Sequence, residues 1–260
     1  MEMAPGGIPL AEGARDRDGL EMDVMHVRLG PVLPHWPADL LIEAAVQGDV
    51  IVEATGRSIG IPSAAHDQSR ELGSDGLSAD QAARVWHWDN LAHMLALLGW
   101  QDAAARARAC RNDVLGSPTS GAVDQRGERL GRRITRSRTV RWSLRNVGHL
   151  SAADCARLGV PMSMAGDSYA RLITMVDRCL DPAGSSAAPA DTGSTVPEVA
   201  GQPARADAAS PDVVSPDVVS PDVAAIAGAL VGVDLAVARL VVASLDLSPT
   251  RAHSQEVDHG

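Results

Sequence analysis

Hydrophobic and polar positions alternate in the first part of the chain, and this period of two predicts β-strands. Residues 23–29 place alternate side chains on two faces, and a second apolar run covers residues 40–46. The turn residues 47–49 contain a glycine, which adopts positive φ without steric cost, and another apolar run follows at 50–54. We therefore expect a small antiparallel sheet over residues 22–56.

The hydrophobic period changes after residue 77, and the new spacing predicts helices. Apolar residues recur at helical spacing up to Gly99, and segments 100–115 and 169–180 continue the pattern. Ser78 and Ser151 each precede a Gln or Asp by three residues, which is a helix N-terminal capping pattern. Residues 78–180 are thus predicted to be a mainly helical body.

Composition divides the rest of the chain. Residues 1–21 are rich in Gly, Pro and charge and predict a flexible lead-in, and residues 248–260 predict a flexible tail. Residues 181–222 are Pro, Ala, Ser and Asp with Ser-Pro-Asp-Val-Val repeats, which cannot bury enough apolar surface to offset chain entropy, so we expect a disordered acidic linker. Residues 223–247 are apolar and are predicted to pack on the body formed by residues 22–180. A membrane span is the less favoured alternative, because the uncharged run is 11 residues and about 20 are needed.

The predicted fold class is therefore α+β. It consists of a small N-terminal antiparallel β-sheet, a mainly helical body, and a disordered linker before a C-terminal apolar element.

Composition excludes several function classes. All 23 basic residues are arginines, so neither a Schiff-base lysine nor a P-loop lysine is available. The net charge of -10 argues against nucleic acid as a partner. Three widely spaced cysteines indicate no disulfide framework, and the N-terminal residues carry no export signal, so we expect a cytoplasmic protein.

Two groups of side chains are candidates for a pocket. His35 and Trp36 lie in a loop with three prolines, where the alternative is a rigid connection between strands. Asp89, Asn90 and His93 follow on one predicted helix, with Asp89 and His93 four residues apart and on one face.

The alternative is a helix with a purely structural role, with Trp86 in the core and His87 in solvent. His87 and His93 are six residues apart, whereas two histidine ligands on a helix need a spacing of four, so we expect no metal.

An arginine-rich segment covers residues 126–145, with eight Arg and one Glu. This segment could dock an acidic partner, and its alternative is a solvated face, a subunit contact, or a contact with the acidic linker.

Five short segments in a shared order resemble the D-type (49 kDa) subunit of NADH:quinone oxidoreductase, complex I, in the nickel-iron hydrogenase large-subunit superfamily. Gly-Pro-Val-Leu-Pro is similar to the family's Gly-Pro-x-His-Pro, Gly-Asp-Ser-Tyr-Ala-Arg to its Gly-Asp-x-Tyr-Asp-Arg, and Asp-Val-Ala-Ala-Ile-Ala-Gly to its closing Asp-Val-Val-x-Ile-Ile-Gly. The five segments are residues 30–34, 88–91, 147–154, 166–171 and 222–228.

The resemblance implies a quinone-site subunit whose reactive side chains are replaced. The family's quinone-pocket His falls at Leu33 and its quinone-binding Tyr at Asn90, and Leu and Asn cannot deliver a proton to a quinone. The degenerate pocket would comprise Leu33, His35, Trp36, Asp89, Asn90 and His93.

We therefore expect a non-catalytic or accessory component of a redox complex, without catalytic residues, metal or bound cofactor. An active version would rely on His35, Asp89 and His93 as substitutes. The expected partners are other subunits of that complex, with an iron-sulfur subunit as a candidate, and neither nucleic acid nor a direct membrane span. If the chain lies on the inner face of the cytoplasmic membrane, we expect partner subunits to attach it there. The alternative function is a stand-alone protein-protein interaction module that uses residues 126–145.

Overall fold

The computed structural model describes residues 13–15, 21–59, 79–116, 121–181 and 221–247. Within these ranges an N-terminal antiparallel sheet precedes a helical body, which confirms the predicted α+β class. The predicted linker lies almost wholly outside the described residues, as do the predicted tail and Ser78. None of the helices in the described ranges combines the length and the apolar composition that a membrane span requires.

The described strands form one antiparallel sheet in sequential order, and the predicted hairpin is present. The strands are β1 (Gly13–Arg15), β2 (Glu21–Leu29), β3 (Leu40–Gln47) and β4 (Val50–Ser58). Gly48 turns between β3 and β4 with φ 62°, the left-handed conformation for which the sequence supplies a glycine. Within the predicted flexible lead-in, residues 13–15 instead form the strand β1 by pairing with β2.

Eight α-helices follow within the described ranges. They are α1 (Ala79–Leu97), α2 (Gln101–Gly116), α3 (Gly121–Thr135), α4 (Arg138–Leu144), α5 (Ala152–Leu158), α6 (Ser168–Leu180), α7 (Val223–Ala229) and α8 (Leu235–Ser244). The predicted box at Ser151 is present, with its hydroxyl accepting from the Asp154 amide while the Asp154 carboxylate accepts from the Ser151 amide. Gly159 ends α5 in the left-handed conformation.

The buried apolar side chains form two clusters. One lies among α1, α2, α3, α4 and α6 and contains many alanines, so these helices approach one another closely. The other lies between the sheet, α5 and the two C-terminal helices. Both clusters are built without phenylalanine, and their volume comes from Leu, Val, Ile, Met and Ala together with two buried tryptophans, Trp36 and Trp88.

The C-terminal helices complete the sheet side of the molecule. The Ile51 amide donates to the Val233 carbonyl at 3.0 Å, and the Gly232 amide donates to the Ile51 carbonyl at 2.7 Å. The Leu235 amide donates to the Asp49 carbonyl at 2.8 Å. These bonds satisfy part of the outer edge of β4, and α7 and α8 bury their apolar side chains beside it.

Candidate functional site

The loop between β2 and β3 is held in a defined conformation. The Trp36 indole nitrogen donates to the Leu40 carbonyl at 2.8 Å, and Trp36 itself is buried. His35 has φ 63°, a left-handed conformation that non-glycine residues adopt only at a cost. Arg239 of α8 donates to the Pro34 carbonyl at 3.1 Å, so the C-terminal segment also supports this loop.

Helix α1 faces the loop with its polar side chains. Trp88 is 1% exposed in the helical core. Trp86 is only half-buried and His87 bonds to an acidic side chain, so the alternative of Trp86 in the core and His87 in solvent is wrong. The reason is the helical period, since Trp88 shares its buried face with Leu91 and Leu95 of the helical cluster, at spacings of three and four residues.

The loop and α1 enclose a cavity of about 170 Å³. Its polar lining contains four of the predicted pocket residues, His35, Asp89, Asn90 and His93, and Trp36 and Trp86 supply aromatic walls. Leu33 does not line the cavity and packs instead against the sheet cluster. Val242, Ala243 and Leu247 close the cavity from the C-terminal segment.

The two cavity histidines lie side by side. Their ring centroids are 5.3 Å apart, and Nε2 of His93 is 3.9 Å from Oδ2 of Asp89. Asp89 also accepts a hydrogen bond from Arg111 of α2, so its charge is already balanced. Burial lowers the pKa of His35, and the nearby charges of His93, Arg108 and Arg239 lower it further. His35 is therefore a neutral imidazole at neutral pH.

Two polar atoms of the cavity residues are unsatisfied. Nδ1 of His35 and Nε1 of Trp86 are buried and have no hydrogen-bond partner among the described residues. Leaving a buried polar atom unpaired costs about 1–3 kcal/mol. The Trp86 N–H needs an acceptor, and Nδ1 of His35 also needs one in the tautomer that carries its proton there, so a small ring with carbonyl acceptors would satisfy atoms of this kind.

The buried carboxylate of Asp246 supports the wall of the cavity. The sequence pattern did not indicate this role. The Asp246 side chain is 1% exposed. It accepts from the Asn90 amide at 2.7 Å, the His87 ring at 2.9 Å and the Arg178 guanidinium at 3.0 Å. One N–H of the Asn90 side-chain amide is therefore already donated to Asp246.

Sequence spacing could not have found this cluster, because Asp246 is separated by 156 residues from Asn90 and by 68 residues from Arg178. The sequence offered one indication of a buried polar cluster, namely that Asp246 is a charged residue near the end of the apolar segment 223–247. Asp246 has φ 53°, as a short polar side chain in the left-handed region often does.

Arg171 forms a second buried node next to this wall. It donates to the carbonyls of Gly148 and Gly166, both at 2.7 Å, and to the hydroxyls of Ser168 at 3.1 Å and Ser244 at 2.8 Å. Burial lowers the pKa of Arg171 to about 10. This node joins the loop before α5, the start of α6 and the end of α8.

The cysteines offer no reactive thiol in this structure. All three are buried and unpaired. Burial raises the pKa of Cys110 to about 11, with Asp113 adding to the effect, and burial also raises the pKa of Cys155 and Cys179. Among the described residues, His, Cys, Asp and Glu form no group that could hold a metal ion.

No protein-family model matches the chain, and a search of curated proteins finds no significant match. The cavity, its buried support and the arginine surfaces are therefore the features of the molecule that bear on its function.

Proposed function

We propose that the chain is an accessory, non-catalytic component of a redox complex, a divergent relative of the quinone-site subunit of NADH:quinone oxidoreductase. In this proposal the cavity receives a quinone-like ring and does not reduce it. One observation carries the proposal. Of the six candidate quinone-pocket residues, five line a single cavity and Leu33 does not; the five are His35, Trp36, Asp89, Asn90 and His93.

The size and lining of the cavity support a single ring. A volume of about 170 Å³ lies below the roughly 300–1,000 Å³ of pockets for drug-sized ligands. Trp36 and Trp86 offer apolar walls, and His35 and His93 offer hydrogen bonds to ring carbonyls.

The side chains favour binding over reduction. Reduction of a quinone to a hydroquinone consumes two electrons and two protons, and the pocket must deliver the protons. Leu33 carries no proton and lies outside the cavity, and Asn90 donates to Asp246. His35 has a lowered pKa and holds no imidazolium proton at neutral pH.

Ring binding is tested with 2,3-dimethoxy-5-methyl-1,4-benzoquinone, a quinone ring without an isoprenoid tail. We expect saturable quenching of tryptophan fluorescence, because Trp36 and Trp86 line the cavity. His93→Leu should weaken the binding, whereas His149→Leu, an exposed histidine outside the cavity, should not. Equal binding by both variants would contradict a site in this cavity.

The accessory role is tested by isolating the tagged chain at low and at high salt. A redox-complex subunit held mainly by apolar burial should retain an iron-sulfur protein at high salt. The isolated assembly is then assayed for quinone reduction with the wild-type chain, His35→Ala and His93→Ala. Reduction that both variants abolish would overturn the non-catalytic assignment in favour of the active version.

A second candidate function has its own observation. Trp142 on α4 is 82% exposed, Arg138 and Arg141 lie three residues apart on this helix, and Arg145 follows its last residue. Exposed tryptophan with arginine is the composition of protein-protein hot spots. An interaction module would use these side chains for an acidic partner, and Trp142→Ala and Arg141→Glu should then abolish a salt-sensitive association.

A further inference from the structure

A groove between α2 and α3 carries four arginines. Arg106 comes from α2, and Arg126, Arg129 and Arg133 come from α3. Ala109 and Leu130 form an apolar floor, and the groove encloses about 300 Å³. It is separate from the cavity between the loop and α1, and no part of the proposed function depends on it.

Carboxylates hold three of these arginines in place. Asp102 accepts from Arg133 at 2.6 Å and from Arg106 at 3.3 Å, and Asp113 accepts from Arg126. The guanidinium of Arg133 also lies 5.2 Å from the centroid of the Trp100 ring. These contacts restrict the side chains before any ligand arrives, which reduces the entropy cost of binding.

The charges of the groove are not balanced by its own carboxylates. Four arginines face two aspartates, so an excess of two positive charges remains. Each guanidinium has five N–H donors, and the carboxylates use only part of them. Arg129 has no ion-pair partner among the side chains that the structure describes.

We propose that this groove binds a ligand with two or more linked phosphate groups. Planar guanidinium groups bind phosphate oxygens in pairs, and several of them around one volume match a pyrophosphate better than a single anion. The volume of about 300 Å³ leaves room for linked phosphates over the apolar floor. A compound with several carboxylates would also be a compact anion, and the experiment compares it with linked phosphates.

The test uses the full chain and calorimetry at low salt with inorganic pyrophosphate, orthophosphate and citrate as probes. We expect saturable binding of pyrophosphate, weaker binding of orthophosphate and citrate, and a rise in the midpoint of thermal unfolding with pyrophosphate. Equal affinity for citrate, or no saturable binding of pyrophosphate, would overturn the proposal.

Two variants on α3 form a matched pair. Arg129→Ala removes the groove arginine that has no ion-pair partner within the described ranges, so folding should be preserved while pyrophosphate binds about tenfold or more weakly. Arg132→Ala removes an exposed arginine that pairs with Glu128 outside the groove lining and should leave the affinity unchanged. Equal losses in the two variants would show a general charge effect and overturn the site.

A third variant, Arg129→Lys, keeps the charge and removes the planar fork. We expect its affinity for pyrophosphate to fall several-fold below the wild type. Wild-type affinity in this variant would contradict paired recognition of phosphate oxygens by Arg129.

Discussion

Asp246 carries a charge that side chains rather than solvent must balance. Burial alone would raise the pKa of this carboxyl, but the hydrogen bonds and charges of His87, Asn90 and Arg178 outweigh burial and lower it. An aspartate with a lowered pKa stabilises the fold above its unfolded pKa, and this contribution is lost as pH falls through the folded pKa. Asp246 is therefore ionised at neutral pH and stabilises both the cavity wall and the packing of α6.

Asp246→Asn should reduce the free energy of unfolding by about 3–5 kcal/mol, because it removes the buried carboxylate charge that pairs with the Arg178 guanidinium. Urea denaturation at pH 7 measures the change. The control is Asp102→Asn, which removes an exposed carboxylate and should cost much less stability, because solvent screens its ion pairs. A loss below about 1 kcal/mol at Asp246 would show that its three donors are satisfied in another way.

His35 is a basic group, but like Asp246 it should make the fold less stable as pH falls, because its pKa is lowered in the folded chain. The unfolded chain binds a proton on this ring near the ordinary pKa of 6.5, and the folded chain binds it only at lower pH. Stability should therefore fall as pH is lowered from 6.5 toward the folded pKa, and no further below it.

The measurement for His35 is a proton NMR titration together with unfolding at several pH values. We expect a midpoint below 6.5, moving upward in Arg239→Gln because a neighbouring positive charge is removed. His35→Asn, which tolerates positive φ, should flatten the stability profile between neutral and mildly acidic pH. A midpoint at or above 6.5 in the wild type would contradict the lowered pKa.

At the scale of elements, a contact of the C-terminal segment with the sheet depends on a glycine. A Cβ on Gly56 of β4 would lie 2.5 Å from the Val223 carbonyl oxygen and 3.1 Å from the Ala227 Cβ. Backbone cannot yield as a flexible side chain does, so α7 would have to move away from the strand.

Gly56→Ala should destabilise the fold by about 1–3 kcal/mol, through overpacking between β4 and α7. Gly228→Ala is the matched control on the facing helix, where a Cβ meets nothing within 4 Å. The control should stabilise by about 0.5–1 kcal/mol, since alanine is the better helix former. Thermal unfolding of both variants gives the comparison, and a neutral Gly56→Ala would mean that α7 does not pack here.

The sequence predicts local elements well because their causes are local. The hairpin at Gly48 and the capping box at Ser151 each depend on residues within a few positions of one another. The strand at residues 13–15 was missed because its glycine and charges satisfy no strand pattern and its partner strand alone makes it regular. The same limit applied to α1, where the pattern did not show that Trp88 rather than Trp86 faces the core.

The candidate site was predictable only in part. The resemblance brought His35 and Trp36 together with residues of α1, and the structure places all of them on one cavity. It could not supply Asp246 or Arg178, whose roles depend on the packing of the C-terminal segment. Nor could it show that Leu33 points away, because a two-residue difference within a proline-rich loop changes the direction of a side chain.

At the scale of the whole molecule, two buried clusters depend on one C-terminal segment. Its side chains bury apolar area in the sheet cluster and also contact the helical cluster through Leu240 and Ala243. Arg171 and Asp246 tie α6 and α1 to the same segment by buried hydrogen bonds. Cavity, sheet and helical body should therefore unfold together.

A chain that ends at Asp181 tests this dependence. The removed part includes five buried Val, Leu or Ile side chains, and at about 1.5–3 kcal/mol each they contribute on the order of 10 kcal/mol. A domain has a total stability of about 5–15 kcal/mol, so the shortened chain should lose cooperative unfolding and bind a dye that detects exposed apolar surface. These five residues are Ile226, Leu230, Val241, Val242 and Leu245.

A synthetic peptide of residues 221–247 should restore cooperative unfolding to the shortened chain, because it carries the backbone groups of Gly232, Val233 and Leu235 that bond to residues 49–51. The same peptide with Val241→Asp should fail, since it would bury an unpaired carboxylate in the sheet cluster. If the shortened chain unfolds as cooperatively as the full chain and at the same denaturant concentration, the C-terminal segment is not part of the folding unit. The support that it gives to the cavity through Asp246 would then have to come from the helical body alone.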